Sequence, residues 1–80
     1  MDDKKAYYDI ITSIWKLLKT NMDVVADIKD PMDPRWKAIC DDFTRIELTA
    51  PDALKRYAGD MVLLHVSELE NMWRSRTEGH

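Results

Sequence analysis

A single cysteine, Cys40, stands in a chain of 80 residues, so no disulfide can form within it. Glycine is also scarce, with Gly59 and Gly79 alone, and proline occurs three times. No uninterrupted apolar run exceeds the four residues Met61–Leu64, far short of a membrane span. Neither sign of charge is in large excess. The net charge is -3 and no segment is strongly basic, so the footprint of a non-specific nucleic-acid binder is absent. There is no glycine-rich phosphate loop, no Ser-His-Asp set and no Cys-x-x-Cys pair. Catalysis by this chain alone is therefore not expected. The opening Met1-Asp2-Asp3-Lys4-Lys5 begins acidic, where a secretory leader begins basic and turns apolar. Together with the lone thiol, it points to the cytoplasm.

What remains is a balance of 45% hydrophobic and 34% charged residues, which is globular and not disordered. The length allows one domain, residues 1–80, with a modest core. Pro31, Pro34 and Pro51 divide the chain into three helical parts. The first helix is predicted over 3–20. Tyr7, Ile10, Ile11, Ile14, Leu17 and Leu18 recur at three- and four-residue spacing and share one face, with Trp15 at its edge. Asp2 or Asp3 suits the first turn, and Lys16 and Lys19 suit the last. Asn21, which tolerates the left-handed conformation, is expected to end the helix before a short helical turn over 22–29. The alternative is a helix that carries Met22, Val25 and Ile28 on to Lys29.

Asp33 before Pro34 is a cap followed by proline at a first helical position. It opens a second helix over 34–48, with Trp36, Ile39, Cys40, Phe43 and Ile46 on the buried face. Thr49 and Asp52 form a variant capping box for a third helix over 51–76. In that helix Leu54, Tyr57, Met61 and Leu64 make one apolar row, and Ala58, Val62, His65, Leu69 and Met72 make another, widened by Val66 and Trp73. That width exceeds what two short helices require. The expected fold is all-α, a three-helix bundle whose long C-terminal helix also serves an interface, most simply in a homodimer.

Each chemically capable residue type has a plainer role available. Cys40 falls on a buried face and precedes Asp41 and Asp42, which disfavour a thiolate. His65 with Glu68 reverses the Glu-x-x-His order of di-iron bundles, so a metal-dependent enzyme would have to assemble across a dimer. An interfacial His65 would instead make association pH-sensitive. Asp23, Asp27, Asp30 and Asp33 suit an acidic docking surface better than a metal site. Lys55, Arg56, Arg74 and Arg76 lie at opposite ends of the third helix and make no single patch, so a nucleic-acid partner is not favoured. Trp15, Trp36 and Trp73, one per helix, suggest an aromatic cluster, with Trp15 or Trp73 left as an interface anchor. No cofactor is expected. Candidate interface residues are Trp15, Trp73, Met61, His65, Leu69 and Met72, and the acids Asp23 to Asp33. Gly79-His80 could be a tag remnant, and His80 is given no chemistry.

Tyr7-Tyr8 with Trp15, Trp36 with Asp41-Asp42, and Tyr57-Ala58-Gly59-Asp60-Met61-Val62 running into Glu68-Leu69-Glu70 form a pattern that resembles small helical proteins encoded by bacteriophages and mobile elements. The resemblance implies an accessory protein that binds and inhibits or modulates a host macromolecule, such as a bacterial defence component. A nucleic-acid-associated regulatory adaptor is the alternative. The resemblance assigns no residue a role.

Overall fold

A computed structural model describes residues 3–78, with no description of the Glu78 side chain. The expected Asp2 cap and the Gly79-His80 stub lie outside these residues. The described chain is all-helical. Helix α1 spans Asp3–Asp27 and α2 spans Arg35–Thr49. A single 3₁₀ turn over Asp52–Leu54 then leads into α3, Lys55–Glu78. The three helices pack into a rod 49 × 18 × 17 Å. Tyr7 meets Tyr57 edge-on near the starts of α1 and α3, with ring centroids 4.9 Å apart. The Trp73 indole N–H donates to the Ile28 carbonyl near their ends (2.8 Å). Helices α1 and α3 therefore run parallel, and α2 returns between them.

The first helix is longer than expected. It does not break at Asn21 but continues through it to Asp27, which matches the continuous alternative more closely than the favoured break. Two physical reasons appear. The Asn21 side-chain amide, buried against the bundle, donates to the Leu17 carbonyl one turn back (2.9 Å), so its polar group is satisfied inside the helix. Beyond it, Val25 and Ile28 are almost completely buried. Apolar burial worth about 1.5–3 kcal/mol per such side chain outweighs the few tenths that asparagine costs a helix. No residue among those described, glycine included, has a positive φ.

The turn into α2 follows its predicted chemistry. The Asp30 carboxylate accepts the Met32 amide (2.8 Å), and Asp33 Oδ1 accepts the Arg35 amide (2.9 Å). The second connection differs. Thr49 does not cap α3. It is the last residue of α2, and its hydroxyl donates back to the Arg45 carbonyl (2.8 Å). The chain then tightens into the 3₁₀ turn, where the Leu54 amide donates to the Pro51 carbonyl (2.8 Å).

The core is built from Ile10, Ile14, Val25 and Ile28 of the first segment, Ile39 and Phe43 of α2, and Ala50, Leu54, Ala58, Val62 and Leu69. Cys40 departs from its predicted place, for it is exposed. The buried face of α2 is narrow and centres on Ile39 and Phe43, and Cys40 is turned past its edge.

Gly59 faces Glu47 across the α2–α3 contact. A Cβ there would meet Glu47 Oε1 at 2.7 Å and Cδ at 3.1 Å. Those atoms are the tip of a flexible side chain, so the glutamate can swing aside. Gly59→Ala is expected to raise stability by up to about 1 kcal/mol, the propensity difference within a helix. A urea midpoint that falls instead would show that the Glu47 carboxylate is held where it stands.

Candidate interaction surface

Helix α1 carries two apolar rows. One, Ile10, Ile14, Leu17, Asn21 and Val24, continued just past the helix end by Ile28, turns inward and is buried or half-buried. The other is Tyr8, Ile11, Trp15, Leu18 and Met22, at alternating spacings of three and four. Such spacing makes a straight seam along a helix. Only Leu18 of this outer row is half-covered by the chain itself. Tyr8 is 67% exposed, Ile11 48% and Trp15 56%, and Met22 is also exposed. By the helical rise, the row runs about 21 Å.

Helix α3 supplies a matching row. Tyr57, Met61, Leu64, Glu68 and Asn71 follow one another at spacings of four and three. Tyr57 is joined to α1 through Tyr7, so this row lies on the α1 side of α3. Leu64 is 61% exposed, and Glu68 and Asn71 are exposed beyond it. The outer row of α1 and Leu64 of α3 thus share one face of the bundle. Lys16 and Lys19 stand along its α1 edge, with Asp23 a turn further on. Asp60 stands along its α3 edge. All four are exposed.

Of the predicted interface residues, Trp15 alone is prominent on this face, with Met61 half-buried in its floor. Leu69 is fully buried and Met72 packs against the core, so both belong to the interior of the chain. Trp73 is a structural residue. Its ring stands edge-on to Trp36, centroids 5.6 Å apart, while its N–H holds Ile28. The tryptophan cluster therefore has two members and omits Trp15. His65 is half-buried, with Nδ1 2.7 Å from the Met61 carbonyl, an arrangement in which Nδ1–H donates within the helix. The missed residues are Tyr8, Ile11, Met22 and Leu64. The three-four spacing of Tyr8, Ile11, Trp15, Leu18 and Met22 was the signal for them.

The acids from Asp23 to Asp33 do not act together. Arg35 sits between Asp33 (2.8 Å) and Asp27 (2.9 Å). Hydrogen bonds from the Arg35 side chain, and then from its amide, hold the Asp33 carboxyl below the usual carboxylate range. The same Asp33 and Asp27 bonds hold the guanidinium proton more tightly than usual. Asp30 is occupied by its turn. Among the described residues no three His, Cys, Asp or Glu side chains converge as a metal site would require, and no helix is long and apolar enough to cross a membrane. A cleft of about 210 Å³ lies between α2 and α3, lined by Pro31, Trp36, Cys40, Val66, Glu70 and Trp73. Its one carboxylate, Glu70, pairs with Arg74 (2.6 Å).

Comparisons with protein families, with curated proteins and with solved structures found no match.

Proposed function

We propose that the protein is a non-enzymatic interaction module that works by binding protein through the outer face of α1 and α3. The observation that carries the reading is the exposed row Tyr8, Ile11, Trp15 and Met22 with Leu64 beside it. Single exposed apolar residues need no explanation, whereas a contiguous set bordered by charges is the pattern of an interaction site. Trp15 and Tyr8 are of the types that anchor interfaces, and the lysines and acids at the rim supply orientation. In its finer form the reading is of a homodimeric accessory protein, of the kind phages and mobile elements encode, that inhibits or modulates a host protein. Resemblance in the pattern of aromatics and acids supports that form.

The test is a photo-crosslinking side chain placed at position 15, with position 37 on the polar side of α2 as control, in cells expressing the full chain. Discrete protein adducts are expected from position 15 and not from 37, and Ile11→Asp should abolish them while the helical circular dichroism is retained. A folded chain that yields no protein adduct at position 15 would overturn the reading.

A further inference from the structure

We infer that the cleft between α2 and α3 binds a trimethylammonium group, the head of a small quaternary amine or of a methylated lysine side chain. The cleft lies apart from the outer row of α1, for no residue of that helix lines it, and its role stands whether or not that row binds protein. Three observations lead to it.

The first is the lining. On α3, Val66, Glu70 and Trp73 follow one another at spacings of four and three, which puts them on one side of the helix. Across the cleft stand Trp36 and Cys40 of α2, one turn apart, and Pro31 of the turn completes the lining. The Trp36 and Trp73 rings are nearly perpendicular, at 82°, with centroids 5.6 Å apart. Both are half-buried and both keep surface toward the cleft. Two indoles set at a right angle wall a corner, and the electron-rich faces of aromatic rings attract cations, tryptophan most of all.

The second is charge. Glu70 is the one charged residue of the lining, which holds no lysine, arginine or histidine. A cation is therefore admitted and an anion is not. Glu70 meets Arg74 at 2.6 Å, but both side chains are about half exposed. An exposed pair of that kind is held weakly, so the carboxylate is free to turn to a ligand. A bare ammonium is strongly hydrated and stays in water. Methyl groups give the cation an apolar surface that suits the two indoles and Val66.

The third is size and readiness. The cleft encloses about 210 Å³, below the roughly 300–1,000 Å³ of sites for drug-sized ligands, so it suits a head group. The Trp73 N–H is held by the Ile28 carbonyl (2.8 Å), which fixes that ring before any ligand arrives. Walls already in place spare binding the cost of ordering them.

Titration of the full chain with tetramethylammonium chloride, followed through the indole N–H resonances, tests this. Saturating shifts are expected at Trp36 and Trp73 and none at Trp15, with a Kd on the order of 10 mM. Ammonium chloride at the same concentration should move none of them. Occupancy should also slow the alkylation of Cys40 by iodoacetamide, because that thiol is exposed and part of the lining. Glu70→Gln is expected to weaken binding about tenfold, and Arg74→Gln, which releases the carboxylate, to tighten it about threefold. Both positions are half exposed, so the helical circular dichroism should be retained. Choline and acetyl-trimethyllysine amide separate the two sources, and the one that binds more tightly than tetramethylammonium names the ligand. Shifts that ammonium chloride reproduces, shifts that do not saturate, or binding indifferent to Glu70→Gln would each overturn the inference.

Discussion

Phe43→Ala is expected to leave much of the chain unfolded at room temperature. Phe43 is completely withdrawn from water at the centre of α2. It and Ile39 are the fully buried residues of that helix, with Trp36 and Ile46 half-buried against the same core, so α2 is attached chiefly through them. Truncating a buried phenylalanine costs about 3–5 kcal/mol in transfer and cavity terms. A domain of this length has a total of roughly 4–12 kcal/mol to lose. Urea denaturation followed by circular dichroism at fixed protein concentration should show a midpoint lowered by that amount or no folded baseline at all. Concentration must be held because self-association would add to apparent stability. A loss below about 1 kcal/mol, within the ordinary range for a peripheral substitution, would mean that α2 does not pack through Phe43.

The second large effect is expected at Trp73, and two substitutions separate its two roles. Trp73→Ala removes the ring that stands against Trp36 and also the donor to Ile28. A loss of about 3–5 kcal/mol is expected, the cost of truncating a large packed aromatic. Trp73→Phe keeps most of the ring contact and removes the N–H. The Ile28 backbone, in a residue almost fully buried, then has a carbonyl without that donor, at a cost of about 1–3 kcal/mol. Because this bond ties the end of α1 to the end of α3, the phenylalanine variant should also show faster amide hydrogen exchange over residues 24–28, with the middle of α1 unchanged. Equal stability of the phenylalanine variant and the native chain would reduce the Trp73–Ile28 bond to a surface contact.

Much of the local structure was legible before any tertiary information. The prolines and Asp33 marked the start of α2 because their effect is covalent and nearest-neighbour. The inward row of α1 was legible only in part, because the spacing that groups Ile10, Ile14 and Leu17 also took in Tyr7, Ile11 and Leu18, and the bundle leaves Tyr7 and Ile11 exposed. What misled was the treatment of Asn21 and Thr49 as signals at helix ends. Both have side chains that can also bond a carbonyl one turn back, and both do so here. Which option wins depends on whether the residues beyond them find a core, and for Asn21 those are Val25 and Ile28.

The candidate site was less legible, and for a related reason. The apolar residues of α3 outnumbered what one seam needs, which suggested an interface on that helix. In the folded chain Leu69 and Met72 are taken up by packing between the helices, Leu63 and Leu64 of α3 stay exposed, and a further surplus appears on α1 at Tyr8, Ile11, Trp15 and Met22. Periodicity reports that a helix has two apolar rows but not which of them its neighbours will cover. Cys40 shows the same limit from the other side, an apolar position at core spacing that the width of the α2–α3 contact leaves outside.

The sequence by itself determined that the described chain is helical, where α2 begins, and that the third helix carries more apolar residues than one seam needs, since these follow from spacing, proline and capping chemistry. Only the tertiary structure decided that α1 runs unbroken to Asp27, that Trp73 is a strut and Trp15 an exposed anchor, and that Leu64 of α3 shares a face with the outer row of α1. Those outcomes depend on which rows meet across the bundle, and burial between helices is a property of their relative rotation that no single segment encodes.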